Sequence, residues 1–334
     1  MKIAIVGLGA MGGLIAARLL QAGHQVQALA RGETLRHVRA QGLILDEAGV
    51  RSRLSLKVSD RAQELGEHDL VVVAVKAPAL APLAQAIAQL RGDKGLVLTA
   101  MNGVPWWFFQ GFGGPCNDLK LKSIDPDAAL DAAIPPQAVL GSVLHMSAST
   151  PAPGHVLHAM GSRIILGEPK GGSSERLRAV ASLFASAGFA AETSLRIQDD
   201  IWFKLWGNMT MNPVSAITGA TIDKILQDPQ VNRFCVSVMQ EAKVVGERFG
   251  CLIQQSPEER NAVTAQLGAF KTSMLQDVEA MRPVELDALL TVVQDIATCL
   301  GLHVPWIEAL LGLCRLRMQG LGLYPRSIAS RLTA

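Results

Sequence analysis

The start of the chain alternates between apolar runs and glycine-containing stretches. Residues 2–6, KIAIV, form a short apolar run that predicts a buried strand. From Met11 to Gln21 the apolar residues recur at helical spacing, and Gly23 predicts the end of that helix. The following residues, QVQALA, predict a second strand. The pattern therefore indicates a strand–helix–strand unit.

The glycines between the first strand and the first helix have the spacing G-x-G-x-x-G. In this position the motif binds a dinucleotide, because the free N–H groups and positive dipole of the helix N-terminus face the pyrophosphate. The predicted cofactor-binding residues of the loop are Gly7, Leu8, Gly9, Ala10, Met11 and Gly12. A secretory signal peptide would instead have an apolar core without such glycines. Glycines that serve only a tight turn are the simpler alternative.

The residue after the second strand predicts which dinucleotide is bound. NAD-binding proteins commonly carry Asp or Glu there, for the ribose 2′-hydroxyl. This sequence has Arg31, whose guanidinium suits the 2′-phosphate of NADP. The nearby Glu33 weakens this prediction, and a solvent-exposed arginine is the alternative. The sequence favours NADP.

Apolar runs and amphipathic helices continue to alternate as far as residue 194, which is typical of a parallel sheet covered by helices. The runs DLVVVAVK and GLVLTAMNG predict strands that end at Lys76 and at Asn102-Gly103, and AVLGSV, HVLHAM, RIILGE and FAAETS predict later strands. Ligands of such sheets bind beyond the carboxyl ends of the strands, so Lys76 and Asn102 are candidates for contact with cofactor or substrate. A lysine that reaches solvent and an Asn-Gly turn are the alternatives.

Strand patterns largely disappear beyond residue 195, and helical periodicity replaces them. The predicted fold class is therefore α/β. A Rossmann dinucleotide-binding domain is expected over residues 1–195, followed by an all-helical domain over residues 196–334.

The composition argues against several classes of partner. A net charge of +2 and 4% aromatic residues do not suit a nucleic-acid-binding surface, and we expect no membrane span. The five cysteines are widely spaced without a CxxC pair, which fits a reducing cytoplasm, and no His/Cys cluster suggests a metal. The sequence does not fix the oligomeric state; a homodimer is compatible with it.

A polar stripe marks the first helix of the second domain. In DDIWFKLWGNMTMNPVSA, Lys204, Asn208 and Asn212 are four residues apart, so a continuous helix would place them on one face. Apolar neighbours would desolvate the lysine amine and lower its pKa, which suits a proton donor near neutral pH. A lysine that extends to solvent is the alternative. Because Pro213 disfavours helical geometry at the preceding residue, a break is expected at Asn212.

A second polar segment, AFKTSMLQDVEAMRPVELDALL, contains two predicted helix starts. Ser273 with Gln276 predicts a capping box, and Pro283 predicts the first turn of the next helix with Glu285 in it. The simplest interpretation makes Ser273 a helix cap and Glu285 a complement to the helix dipole.

These motifs together resemble the ketopantoate reductases (2-dehydropantoate 2-reductases). The resemblance spans both predicted domains and rests on GLGAMG at 7–12, Arg31, Lys76, Asn102-Gly103, KLWGN at 204–208, Asn212-Pro213 and KTSMLQDVEAMRPVELD at 271–287. It implies NADPH-dependent reduction of 2-dehydropantoate (ketopantoate) to (R)-pantoate, a step of pantothenate and coenzyme A biosynthesis. Lys204 would be the general acid that protonates the carbonyl oxygen. Glu285 would bind the reacting oxygen and hold Lys204 in place.

The resemblance also implies roles for the remaining polar residues. Ser273 would bind the substrate carboxylate, and Asn208 and Asn212 would orient the substrate. Asn102 and Lys76 would line the nicotinamide side. Related β-hydroxyacid dehydrogenases also carry a lysine and an asparagine four apart, but the segment at 271–287 argues against that family.

Two departures from the family pattern leave the substrate open. Residues 106–136 form a longer, aromatic and proline-rich segment, which would reshape the substrate entrance or form a lid, or would cover the edge of the sheet. Thr291 stands where a glycine is expected. The alternative functions are therefore an NADPH-dependent reductase of another small 2-oxo acid and a non-catalytic NADP(H)-binding sensor.

Overall fold

The computed structural model describes residues 1–266 and 268–326. The chain forms two compact units, of which the first comprises residues 1–112 and 125–201 and the second residues 113–124 and 202–334. The segment 113–124 lies within the predicted first domain but packs with the second unit.

The first unit is built on one mixed sheet. Its strands are β1 (Lys2–Val6), β2 (Gln25–Leu29), β3 (Leu43–Glu47), β4 (Val50–Leu54), β5 (Lys57–Ser59), β6 (Leu70–Val73), β7 (Leu96–Thr99), β8 (Val139–Ala152), β9 (His155–Gly167) and β10 (Ala190–Ser194). Its helices are α1 (Ala10–Gln21), α2 (Gly32–Gln41), α3 (Ala62–Leu65), α4 (Ala84–Arg91), α5 (Ala129–Ala133) and α6 (Glu175–Ser186).

Six strands of this sheet run parallel in the order β5-β2-β1-β6-β7-β8. Counted along the chain, that is the order third, second, first, fourth, fifth, sixth, which defines the doubly wound Rossmann fold. The predicted α/β Rossmann fold is therefore confirmed. The predicted strands HVLHAM and RIILGE are one strand, β9, which pairs antiparallel with β8.

The core of the first unit depends on a close approach of α1 to the sheet. Strands β1 and β6 are buried and aliphatic throughout except at Lys2, as expected for a sheet covered on both faces. A Cβ atom on Gly13 of α1 would lie 2.5 Å from Val156 Cγ2 of β9, so only glycine permits this packing distance.

Residues 106–109 of the aromatic segment belong to the core of the first unit. Trp106, Trp107, Phe108 and Phe109 are exposed by 3% or less. The Trp107 ring packs so closely on Gly141 of β8 that a Cβ there would lie 2.6 Å from it. The lid interpretation is therefore wrong for these four residues.

The second unit consists of helices in the part of the chain that the structure describes. They are α7 (Ile197–Thr218, which begins in the first unit), α8 (Ile222–Gln227), α9 (Pro229–Phe249), α10 (Pro257–Ala265), α11 (Ser273–Glu279), α12 (Val292–Cys299) and α13 (Pro305–Gly320). The Nε1 atom of Trp206 donates a hydrogen bond of 2.7 Å to the Met239 carbonyl oxygen, which fixes the rotation of α7 against α9. Trp202 lies on the same face of α7, where its ring contacts that of Phe249 edge to face at 4.8 Å.

Helix α7 continues through Pro213, so the predicted break at Asn212 is wrong. Proline removes one backbone donor and crowds the preceding turn. The residues around it are nevertheless buried, with 7% of Asn212 and 5% of Val214 exposed. Packing of these side chains outweighs the local preference of the residue before proline.

Candidate functional site

The three glycines of the N-terminal loop each meet a different steric requirement. Gly7 has φ +94°, a conformation that L side chains rarely adopt, so the turn requires glycine there. A Cβ on Gly12 would lie 1.9 Å from the Gly7 carbonyl oxygen, so the close approach of strand and helix excludes a side chain at that position. A Cβ on Gly9 would meet no described atom within 4 Å. The space in front of Gly9 therefore leaves the backbone accessible to a pyrophosphate.

The N-terminus of α1 is suited to a phosphate group. Gly9 is its N-cap residue and provides no side-chain cap, and the first turn contains no acidic residue. The backbone N–H groups at Ala10 and Met11 precede the first internal hydrogen bond of the helix, which runs from Gly13 N to Gly9 O at 2.8 Å. Unpaired N–H groups and the positive helix dipole favour an anion here.

The predicted 2′-phosphate contact, Arg31, is exposed and is separated from the last residue of β2, Leu29, by Ala30. Glu33, which weakened the prediction, forms an ion pair with Arg36. Strand β5 pairs with β2 and is followed closely by Arg61, so a second guanidinium lies beyond the neighbouring strand end. Arg61 was not predicted from the sequence because β5, which places it there, is only three residues long.

Lys76 and Asn102 follow two neighbouring parallel strands. β6 ends at Val73 and β7 at Thr99, so the predicted strand ends at Lys76 and Asn102 are wrong, and both residues lie in the loops that follow the strands. Both residues are half-buried. Their positions beyond the carboxyl ends of the strands suit contact with a nucleotide.

In the second unit, the continuous helix α7 carries Lys204, Asn208 and Asn212 along one face. Lys204 and Asn208 are half-buried, and Asn212 is buried. The opposite face is anchored by Trp202 and Trp206, so the polar stripe is held in a fixed direction.

The environment of Lys204 favours loss of its proton near neutral pH. Burial lowers the pKa of the Lys204 amine to about 8, and the negative charge of Glu285 opposes this change. The two side chains are thus electrostatically coupled. A lysine with such a pKa holds a proton at physiological pH and can transfer it.

Glu285 precedes its helix instead of lying in the first turn, as the sequence had predicted. Helical geometry begins at Leu286, and residues Asp287–Thr291 form a turn of π-helix before α12. Such turns alter the direction of the chain and are frequent at functional sites. Glu285 therefore lies on irregular backbone next to this turn.

Ser273 is not the cap of α11. The side chain of Thr272 accepts the hydrogen bond from Leu275 N at 3.2 Å, and Ser273 is the exposed first residue of the helix. The predicted capping box is therefore wrong: the cap is Thr272, and its N3 residue, Leu275, has no polar side chain to complete a box. The Ser273 hydroxyl is therefore not needed to start the helix.

A further charged residue, which the sequence analysis missed, lies against α7. Arg260 of α10 places its guanidinium 4.9 Å from the centre of the Phe203 ring. No motif in the sequence singles out this residue, because its contacts on α7 are more than fifty residues away along the chain.

The described residues hold no group of three or more His, Cys, Asp or Glu side chains arranged for a metal. His155 and His158 pair with Asp46 at 2.8 Å and Glu47 at 2.7 Å, joining β9 to β3. Within the same part of the chain, no helix is both long and apolar enough to cross a membrane.

Comparisons with known proteins agree with this arrangement. The family model described as "Ketopantoate reductase PanE/ApbA" matches residues 3–171, and its C-terminal counterpart matches residues 196–318. A 2-dehydropantoate 2-reductase from Mesorhizobium japonicum is 42% identical over 94% of this chain and 97% of its own length.

Solved structures show the same likeness. A protein from Ralstonia solanacearum MolK2, assigned as a ketopantoate reductase, is 53% identical, with a TM-score of 0.94 over 97% of this chain and 99% of that one. A dimeric ketopantoate reductase from Staphylococcus aureus, 18% identical, shares the fold with a TM-score of 0.74 over 96% of this chain and 100% of its own. The resemblance inferred from the sequence motifs is confirmed: the chain belongs to the ketopantoate reductase family.

Proposed function

We propose that this protein catalyses the NADPH-dependent reduction of 2-dehydropantoate to (R)-pantoate. The observation that carries the proposal is the lowered pKa of the Lys204 amine. Burial brings this pKa to about 8, and the negative charge of Glu285 acts on the same amine. A sensor without catalysis has no need of a proton donor tuned in this way. The family consists of oxidoreductases of pantothenate biosynthesis, so the expected reaction class is confirmed.

Ketopantoate reductases use NADPH, which confirms the expected cofactor. When bound, NADPH supplies the hydride that reduces the ketone carbon. Residues 7–12 would hold the pyrophosphate and Arg31 the 2′-phosphate, while Lys76 and Asn102 would face the nicotinamide. We propose that residues 1–195 carry this binding function and residues 196–334 the substrate-binding and catalytic side chains.

Lys204 performs the proton transfer in this proposal. Its ammonium form stabilises the negative charge that develops on the carbonyl oxygen and then donates its proton to that oxygen. Glu285 favours the charged form of the lysine and holds the amine close to the reacting oxygen. Asn208 and Asn212 orient the substrate along α7, and the Ser273 hydroxyl binds its carboxylate.

The substrate is tested by comparing two 2-oxo acids. Ketopantoate carries a terminal hydroxyl that 2-oxoisovalerate lacks, and a site built to hydrogen-bond a hydroxyl rejects analogues without it far more strongly than an apolar wall selects methyl groups. We expect kcat/KM, measured by NADPH oxidation, to be at least about a hundredfold higher for ketopantoate. Equal or faster turnover of 2-oxoisovalerate would favour an alternative 2-oxo acid.

The cofactor preference is tested at Arg31. Because a guanidinium–phosphate contact is a charge-assisted hydrogen bond, Arg31→Ala should weaken NADPH binding by about 1.5–3 kcal/mol and leave NADH binding nearly unchanged. Fluorescence titration with each cofactor measures both effects. Equal affinity of the unaltered protein for NADPH and NADH would contradict the role of Arg31.

We further propose that the protein is a cytoplasmic homodimer. A fold relative, the Staphylococcus aureus ketopantoate reductase, is dimeric. A row of apolar side chains exposed on α13 gives this chain a surface that suits self-association; Leu313 and Leu316 are 60% and 71% exposed. The family's soluble substrate and cofactor support the cytoplasmic location.

A further inference from the structure

Arg260 is a partly buried cation without an acidic partner among the described residues. Its Nε atom is shielded from solvent and makes no hydrogen bond there. The nearby Glu259 is engaged in the capping box of α10, where its side chain accepts from Ser256 N at 2.8 Å. A shielded positive charge is costly unless an anion compensates it.

The position of the guanidinium is set by two residues of α7. It stacks over the ring of Phe203, at 4.9 Å from the ring centre. A Cβ atom on Gly207 would lie 3.5 Å from both Nε and Nη2 of Arg260, which is ordinary van der Waals contact, so the guanidinium lies directly against the helix at this position.

This contact lies on the face of α7 that carries the proposed chemistry. Phe203, Lys204, Gly207 and Asn208 are the partly exposed residues of this stretch, whereas the residues between them are buried. Positions three and four apart are neighbours on a helix surface, so Gly207 adjoins both Phe203 and Lys204. The Arg260 guanidinium therefore lies beside the helix face of the proton donor.

We propose that Arg260 binds the carboxylate of the 2-oxo acid substrate. This inference rests on the proposed function, in which a 2-oxo acid binds along α7 and brings a carboxylate to that helix face. Guanidinium and carboxylate form paired, charge-assisted hydrogen bonds, which fix the orientation of the acid as well as its charge. Ser273, which the family resemblance assigns to the same carboxylate, is neutral and cannot provide this compensation.

The test compares charged and neutral forms of the substrate in Arg260→Met, which keeps an apolar stem over Phe203 and Gly207. We expect kcat/KM for ketopantoate to fall about 10- to 100-fold, mainly through KM, as for loss of a charged hydrogen-bond pair. Ketopantolactone, which has the ketone but no carboxylate, should lose less than about threefold on the same reasoning. Arg260→Lys should recover part of the loss, since it restores charge without the planar fork. Arg233→Ala, which removes an exposed arginine of α9, is the matched control and should change neither value.

Three results would overturn the inference. Equal losses for the acid and the lactone would show a structural role, which thermal unfolding of the variant would also register. A tenfold weaker NADPH affinity would assign the guanidinium to a cofactor phosphate, and unchanged kinetics would assign it to neither ligand. If the unaltered protein reduces no 2-oxo acid with NADPH, the proposed function fails first and this inference falls with it.

Discussion

The amine of Lys204 is subject to two opposing influences, burial and the charge of Glu285. Burial prevails and brings its pKa to about 8. In the proposed mechanism the reduction requires the protonated amine, so kcat/KM for ketopantoate should be constant below this pKa and fall as the pH rises through about 8. This fall is the alkaline limb of the pH profile, and it is measured by NADPH oxidation at subsaturating substrate. Lys204→Met should abolish it and lower kcat by about a hundredfold or more, the usual contribution of a general acid.

Glu285 provides a direct test of this assignment. Its carboxylate raises the pKa of Lys204. Replacing it by glutamine removes that charge, so Glu285→Gln should move the alkaline limb to lower pH as well as reduce the rate. A limb that stays in place would mean that another group titrates.

Thr272 and Ser273 are adjacent hydroxyl residues with separable roles. The Thr272 side chain caps α11 and is 3% exposed, so Thr272→Ala should lower the free energy of unfolding by about 1 kcal/mol, the usual cost of a lost cap. Ser273→Ala removes no cap and should leave stability within about 0.5 kcal/mol, as for most surface substitutions, while it raises KM for the substrate. Denaturant unfolding and steady-state kinetics separate the two. If Ser273→Ala lowered the stability and Thr272→Ala did not, the cap of α11 would be Ser273.

At the scale of the element, the glycine loop and α1 make a paired prediction. Gly12→Ala would place a Cβ 1.9 Å from a backbone oxygen, so we expect loss of thermal stability even without cofactor. Gly9→Ala meets no described atom within 4 Å, so the free protein should keep its stability while NADPH binds more weakly. Thermal unfolding with and without NADPH distinguishes them. A Gly9→Ala protein with normal NADPH affinity would remove this backbone from the phosphate site.

Elements with strong local patterns could be predicted from the sequence, and those determined by distant contacts could not. The strand β1 and helix α1 follow from apolar periodicity and from glycines whose spacing reflects a backbone requirement. Strand β4, VRSRL, is largely exposed and carries two arginines, so no apolar pattern marked it. Strand β5, only three residues long, was too short to be recognised.

The same distinction holds for the candidate site. Lys204 and Asn208 could be placed on one face because helical spacing fixes their relation. The uninterrupted course of α7 through Pro213 depends on side chains packed around it, which the sequence does not display. Arg260 was missed because its contacts join α10 to α7, and nothing near it in sequence indicates a ligand.

At the scale of the whole molecule, the proposed dimer can be assigned to a surface of the second unit. Helix α13 buries one face, whereas Trp306, Leu313 and Leu316 are exposed by 48%, 60% and 71%. Together with Ala309 these residues repeat at intervals of three and four, the spacing of a helix-pairing seam. An apolar row of this kind on a surface marks an association site.

The charges beside this row favour a second copy in antiparallel orientation. Glu308 and Arg315 are seven residues apart and lie on the same flank of α13, on either side of Gly312. A two-fold axis passing near Gly312 would place Glu308 of each copy opposite Arg315 of the other. The surface is therefore self-complementary in charge as well as in apolar contact, as a two-fold interface requires.

Light scattering after size-exclusion chromatography at micromolar concentration tests this interface. The unaltered protein should elute as a dimer, and Leu316→Glu should elute as a monomer because it buries a charged carboxylate in the apolar seam of each copy. Leu252→Glu alters a similarly exposed leucine, 65% accessible, outside the seam and should remain dimeric. A double variant, Glu308→Arg with Arg315→Glu, exchanges the charges and should preserve the dimer, whereas Glu308→Arg alone should weaken it. A monomeric unaltered protein would refute the dimer itself. A dimer that survives Leu316→Glu would refute only its placement on α13.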